Sequence, residues 1–279
     1  MLKITKIFNN NAIQAINEMG SEVVTLGKGI AFGKTVGEFA DESSVEKTFS
    51  LTTSHFAVRL TEILNEIPQD YFRLTNLIIQ HANRQLGTTL SNGIYVSLTD
   101  HLYHAVLRAK NNQRLGNGLS FEIQRLYRKE FAIGRYAVDL IHDEMLVDLG
   151  EDEAAFIALH IFNARTDTDN MADTYRTTQI IKDILNLVSY HFRLTLDEDS
   201  DEYLRFITHL QHFAPRLFKP QNPSFSDDNF LYEQTRRAYP QAFQCVGKID
   251  KYLQKNFNKS LNQDEQLYLI IHIQRVIWK

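Results

Sequence analysis

A single cysteine, Cys245, stands among 279 residues, so no intrachain disulfide can form and stability must come from apolar burial. No apolar run approaches the roughly 18 residues of a membrane helix, and the opening Met-Leu-Lys-Ile-Thr-Lys lacks the continuous apolar stretch of a secretory signal. Neither glycine-rich phosphate-binding pattern is present, and no Ser, Cys or Asp sits in a nucleophile elbow, which argues against nucleotide hydrolysis and hydrolytic catalysis. Strong charge of one sign is missing too. Thirty basic against 34 acidic residues leave a net charge of −4, giving no whole-chain attraction to nucleic acid or membrane. These absences point to a soluble cytoplasmic protein without membrane insertion and away from hydrolytic catalysis; no cofactor and no enzymatic activity are expected.

What is present is a duplication. Glu151-Asp-Glu-Ala-Ala-Phe-Ile-Ala-Leu-His160 is echoed by Gln263-Asp-Glu-Gln-Leu-Tyr-Leu-Ile-Ile-His272, with the histidine seven residues after Glu153 and Glu265 in turn. The offset of 112 residues also carries Arg125-Leu-Tyr127 onto Arg237-Ala-Tyr239, Phe131 onto Phe243 and Leu149 onto Leu261. An upstream histidine recurs in Thr99-Asp-His101-Leu and Thr208-His209-Leu at an offset of 108. Periods of roughly 20–50 residues make solenoids, so a period above a hundred means two tandem globular domains.

Before the repeats the pattern differs. Leu2-Lys-Ile-Thr-Lys-Ile-Phe8 alternates apolar and polar residues, the period of a half-buried strand. Ala12–Ile16, Glu22–Leu26 and Val45–Leu51 read as further strands, Asn9-Asn10-Asn11 as a turn, and Ile30-Ala31-Phe32 as a strand resuming after Gly27-Lys28-Gly29. A module of fewer than about 60 residues makes a marginal core, so spare apolar surface favours dimerisation. From about Ser54 the period becomes helical: Phe56–Leu64, Leu74–Ala82, Ser91–Lys110, Phe121–Arg128, Tyr136–Met145 and Asp152–Arg165, then Thr174–His191, Glu202–Leu217 with a kink at Pro215, a helix from Glu233, Phe243–Phe257 and Gln263–Ile277. Asn262 and Glu265 form the two ends of a capping box that starts the last helix. Thr166–Asn170 reads as an inter-domain link and Lys219–Asp228 as a loop matching residues 111–118. The fold class is a small antiparallel β module followed by two all-α helical bundles, divided as 1–56, 65–170 and 171–279.

Ten histidines are present. A lone histidine is most often a surface or hydrogen-bonded residue, but His101, His160, His209 and His272 recur in matched contexts between copies that have otherwise drifted. His104 and His212 follow one turn after the upstream pair. Ferritin-like metal sites need Glu-x-x-His on two helices, whereas Glu153 and His160 are two turns apart, so metal binding is disfavoured. A neutral imidazole is a competent nucleophile near pH 7, and phosphate on it adds nearly two charges that can repack an interface.

Lys3-Ile-Thr-Lys-Ile-Phe-Asn-Asn-Asn11 with Gly27-Lys-Gly-Ile-Ala-Phe32 resembles a co-antiterminator (CAT) RNA-binding domain. Val96-Ser-Leu-Thr-Asp-His101, Phe131-Ala-Ile-Gly134, Glu151–His160, Thr208-His209-Leu210 and Leu269-Ile-Ile-His272-Ile resemble two phosphotransferase regulation domains (PRDs). In that order, over essentially the whole chain, they are similar to transcriptional antiterminators of the BglG/SacY/LicT family. The resemblance implies a homodimer that binds a hairpin in nascent messenger RNA and blocks a terminator upstream of sugar-utilisation genes. It implies phosphorylation of His101 and His160 from a sugar-permease enzyme II, which inactivates, and of His209 and His272 from HPr, which activates. It implies RNA contacts at Lys6, Asn10, Asn11, Gly27, Lys28 and Phe32. Lys28 stands where many members have Arg, keeping the charge without the planar fork. The rival readings are a histidine phosphocarrier and a metal-binding helical-bundle protein, neither of which needs the β module.

Overall fold

The structure is a computed structural model that describes residues 1–51, 55–166, 171–218 and 229–278. The expected link at 167–170 and the loop at 219–228 lie outside the described residues. The N-terminal strands are β1 (Leu2–Asn9), β2 (Ala12–Ile16), β3 (Glu22–Leu26), β4 (Phe39–Ala40) and β5 (Lys47–Ser50), antiparallel in the order β4-β1-β2-β3-β5. Ile13 pairs with Thr25 and Val24 with Phe49. Period-two alternation gives the sheet two apolar faces. Ile4, Ile13, Ala15 and Val23 lie on one, beneath Ile30, Ala31 and Ala40. Ala12, Val24 and Phe49 lie on the other, in one core with the helices that follow. The apolar surplus expected to drive dimerisation is therefore largely covered within the chain.

Ile30-Ala31-Phe32 is not a strand. The N–H groups of Ile30 and Phe32 bond to the carbonyls of Gly27 and Gly29 at 3.1 and 2.9 Å, successive turns that Gly29 and Gly33 permit at φ +68° each. Burying Ile30 and Ala31 over the sheet does what their apolar character demands without strand pairing. The short β4 had no alternating signal to reveal it.

The helices are α1 (His55–Glu66), α2 (Gln69–Leu86), α3 (Gly93–Lys110), α4 (Ser120–Leu126), α5 (Arg128–Met145), α6 (Glu151–Thr166), α7 (Met171–Phe192), α8 (Asp201–Phe213), α9 (Asn229–Ala238), α10 (Pro240–Phe257) and α11 (Gln263–Ile277). Pro215 turns the end of α8 into a 3-10 segment, Ala214–Phe218. The capping box of α11 is formed on both sides: Glu265 N–H donates to Asn262 Oδ1 at 2.8 Å and Asn262 N–H to Glu265 Oε2 at 3.0 Å.

The expected Phe121–Arg128 helix ends at Leu126, and α5 begins at Arg128 rather than at Tyr136. Gly134 hid this helix, since glycine mid-helix lowers propensity. Its reason is packing: a Cβ there would stand 2.2 Å from the Ala154 carbonyl oxygen, so α5 and α6 cross at backbone contact.

The duplication is written in the backbone. Tyr127 and Tyr239 precede α5 and α10 at φ −126° and −127°. Leu146 and Asn258 end them in left-handed conformations, φ 56° and 55°. The chain forms two compact units, Met1–Ser120 with Tyr127–Asp169, and Phe121–Leu126 with Asn170–Lys279. Although α4 lies inside the span read as the first bundle, it packs in the second unit. There Glu122 pairs with Lys182 at 2.8 Å, and Arg125 Nε donates to Glu198 Oε2 at 2.8 Å.

Candidate functional site

In the first bundle α3 and α6 bring His101 and His160 together, ring centroids 4.9 Å apart and tilted by 43°. Arg108 lies two turns after His101 on α3, and Glu153 two turns before His160 on α6, so all four share one seam. Glu153 Oε2 is 2.9 Å from His101 Nε2, and its Oε1 accepts from Arg108 Nη2 at 2.8 Å. Burial alone would raise the Glu153 carboxyl; His101 and Arg108 outweigh it and hold the pKa below the usual range. His160 is 8% exposed, and burial, helped by His101, drives its pKa far below the ordinary value, so it is neutral at pH 7.

The other acids near these motifs do not face the pair. Asp100 is 3.7 Å from Arg59 and 3.8 Å from His104, and Asp152 accepts from Ser120. Among the described residues Glu153 alone lies within ion-pair distance of His101 or His160, a distinction that adjacency in sequence could not make.

The second bundle repeats the geometry with different surroundings. On α8 and α11 His209 and His272 stack at 4.6 Å and 20°, with Tyr268 5.5 Å from His209. They open on a cleft of about 500 Å³ lined also by Asp201, Leu204, Arg205, Thr208 and His212. His212, which is outside the four histidines that the resemblance marks, belongs to this cleft; its helical step of three from His209 was the signal. Burial, with the charges of His272, Arg216 and His212, brings the His209 pKa to about 4. His272 is lowered by burial and Arg275. Glu265, the counterpart of Glu153, is turned into the capping box. Among the described residues no carboxylate lies within ion-pair distance of His209, His272 or Arg216. One pair is thus clamped by an acid, and the other lies in a cleft with Arg205 and His212 and with Asp201 at its wall, no acid pairing with it among the described residues.

The six residues expected to contact RNA divide by role. Asn10 and Asn11 close the β1–β2 hairpin, and residues 27–33 are tied to them: Gly27 N–H donates to the Asn11 carbonyl at 2.9 Å, Ala31 N–H to the Asn10 carbonyl at 3.0 Å, and Gly29 N–H to Asn11 Oδ1 at 2.7 Å. The Asn11 side-chain oxygen is therefore committed to holding the loop. Gly27 has a steric reason, because a Cβ there would lie 1.8 Å from the Ser44 carbonyl oxygen. Phe32 is 76% exposed on a loop whose neighbours Ile30 and Ala31 are buried, an aromatic face open to stacking. Lys6 lies over the Phe8 ring at 4.7 Å, and Lys28 is exposed.

Among the described residues no group of three or more His, Cys, Asp or Glu could hold a metal ion, and no helix is long and apolar enough to cross a membrane.

Two family models match. One described as CAT RNA binding domain covers residues 2–56, and one described as PRD domain covers residues 76–164 and again 182–276. The chain is similar to the transcription antiterminator LicT of Bacillus subtilis (strain 168), 41% identical over 276 residues and 99% of each chain. It is similar to the beta-glucoside operon antiterminator of Dickeya chrysanthemi, 40% identical over 275 residues, 99% of this chain and 96% of that one. Among solved structures it resembles the crystal structure of GlcT CAT-PRDI, with TM-score 0.53 and 31% identity over 58% of this chain and 97% of that one.

Proposed function

Because the chain belongs to the family of transcriptional antiterminators that join a CAT RNA-binding domain to two PRDs, we propose that its two facing histidine pairs are opposed phosphate switches on RNA binding. The protein is an RNA-binding antiterminator of sugar-utilisation genes, controlled by phosphorylation from the sugar phosphotransferase system. The observation that carries the finer reading is the recurrence of two neighbouring imidazoles at one place in both bundles, one pair with a carboxylate at ion-pair distance and the other beside Arg205 and His212 without one among the described residues.

A neutral imidazole nitrogen attacks the phosphorus of a phosphohistidine on the donor. The new N–P bond forms as the donor's N–P bond breaks, and no co-reactant is needed. Burial keeps His160 and His209 neutral at pH 7, which supports their role as acceptors. Phosphate on His209 or His272 meets Arg205 and His212 in the cleft, with Arg216 and Arg275 near, and charge-assisted bonds to them would hold an ordered state. Phosphate on His101 meets Glu153 and competes with it for Arg108, which loosens the seam. Accordingly HPr activates through His209 and His272, and a permease enzyme II inactivates through His101 and His160.

The RNA contacts are Lys6, Asn10, Asn11, Gly27, Lys28 and Phe32, and the binding form is a homodimer. The net charge of +2 over residues 1–35, from Lys3, Lys6, Lys28 and Lys34 against Glu18 and Glu22, doubles in such a dimer and favours phosphate contact.

The test is reconstitution of the full chain with phosphoenolpyruvate, enzyme I and HPr, with and without a permease domain, mapping phosphohistidines by mass spectrometry under neutral conditions. HPr alone is expected to load His209 and His272 and to raise affinity for an RNA hairpin. Phosphate confined to other histidines, or with no effect on RNA affinity, would refute the assignment.

A further inference from the structure

A cleft of about 190 Å³ opens where the β module meets α2 of the first PRD. Asn11, Gly27 and Lys28 line it from the β1–β2 turn and the loop after β3, Lys47 from β5, and Gln69 and Arg73 from α2. Three of these are cations. Glu46, an acid on its wall, is engaged by Asn76 at 3.1 Å. Arg73 is anchored through one nitrogen to Glu144 at 2.5 Å, and its remaining donors have no hydrogen-bond partner among the described residues. The Oε1 of Gln69 is buried with no hydrogen-bond partner among the described residues. A buried acceptor without a donor is unfavourable, and the side chain that carries it is one of those lining the cleft, so that a rotation of Gln69 would bring the oxygen to a ligand there.

We propose that this cleft receives one unpaired nucleotide of the RNA hairpin, so that α2 of the first PRD is itself part of the RNA-binding surface. The phosphate sits among Lys28, Lys47 and Arg73. The base edge or ribose hydroxyl donates to Gln69 Oε1. Unstacked bases are what proteins read in RNA, through stacking and edge contacts, whereas a duplex is too broad for this opening. The proposal rests on the reading of Asn11, Gly27 and Lys28 as RNA contacts and extends their surface. It also gives the first PRD a direct hold on RNA, because α2 packs on the His101 helix, where Thr99 Oγ1 donates to Thr75 Oγ1 at 3.0 Å.

The probe is a hairpin RNA selected against the full chain from a library with randomised internal-loop nucleotides. It is titrated with wild type, Gln69→Leu, Arg73→Ala, Arg73→Lys and Lys28→Ala, each checked by melting temperature. Gln69→Leu and Arg73→Ala are expected to weaken binding by roughly ten-fold, the scale of one lost base or phosphate contact. Arg73→Lys should recover most of the loss. An abasic substitution at one unpaired position should weaken the wild type by a similar factor and add nothing in Gln69→Leu. Affinity within two-fold of wild type in both α2 variants, with Lys28→Ala weakened, overturns the cleft and leaves the loop contacts standing. If Lys28→Ala is silent as well, or no hairpin is enriched, both readings fall.

Discussion

Replacing Glu153 by Gln isolates the electrostatic difference between the two histidine pairs. Glu153 is 5% exposed and lies within 2.9 Å of both His101 and Arg108. At an effective dielectric of about 20, two unit charges about 5 Å apart interact by roughly 3 kcal/mol. A phosphate on His101 carries nearly two charges, while Arg108 and partial solvent access offset a good part of the repulsion. A net penalty of about 2–3 kcal/mol remains, a factor of roughly 30–150 in the equilibrium for phosphorylation. Glu153→Gln keeps an amide oxygen for Arg108 and removes the charge, so stability should fall by only about 1–2 kcal/mol, the scale of one charge-assisted hydrogen bond. The assay equilibrates the full chain with a phosphorylated permease domain and measures occupancy of His101 by mass spectrometry. At least a ten-fold higher occupancy ratio is expected. Glu265→Gln is the internal control, since that carboxylate serves the capping box, and phosphate on His209 and His272 should be unchanged. Unaltered or reduced occupancy of His101 in a folded Glu153→Gln protein would refute the claim that the acid sets the asymmetry.

Three further outcomes are expected. Phe32→Ala should weaken hairpin binding by about 1–3 kcal/mol in a mobility-shift assay without lowering the melting temperature, whereas Gly27→Ala should destabilise by about 2–3 kcal/mol because its Cβ collides with the Ser44 carbonyl. Paired charge mimics should act in opposition: His209→Asp with His272→Asp should raise antitermination in a reporter strain lacking HPr, and His101→Asp with His160→Asp should lower it, so that equal activities remove the sign assignment. Because burial depresses His209 from 6.5 to about 4, the unfolded chain takes up a proton that the folded chain refuses. Stability should therefore fall as pH drops from about 6.5 to about 4, and His209→Phe should flatten part of that slope in a melting series.

Much of this protein is legible in one dimension because it was duplicated. Repetition at 112 residues picked out His160 with His272 and Tyr127 with Tyr239, since a pattern that survives drift reports a shared requirement, whether for chemistry or for a helix start. Alternating and helical periods placed nearly every strand and helix, as each records which face is buried. Local period cannot see what a residue packs against. Gly134 fell outside the helix read from Tyr136 and is the point where α6 crosses α5. Ile30 and Ala31 looked like a strand and are a lid on the sheet, because burial demands apolar side chains but not strand pairing. Asp100, Glu151, Asp152 and Glu153 all lie near the histidine motifs in sequence. Only the helical phase of α6 against α3 turns one of them onto His101, while a capping box withdraws its twin, Glu265, from His272. The sequence by itself picked out the four recurring histidines; the tertiary structure decided which of them face each other and what charge each pair meets, because both depend on distances across helices that no spacing along the chain contains.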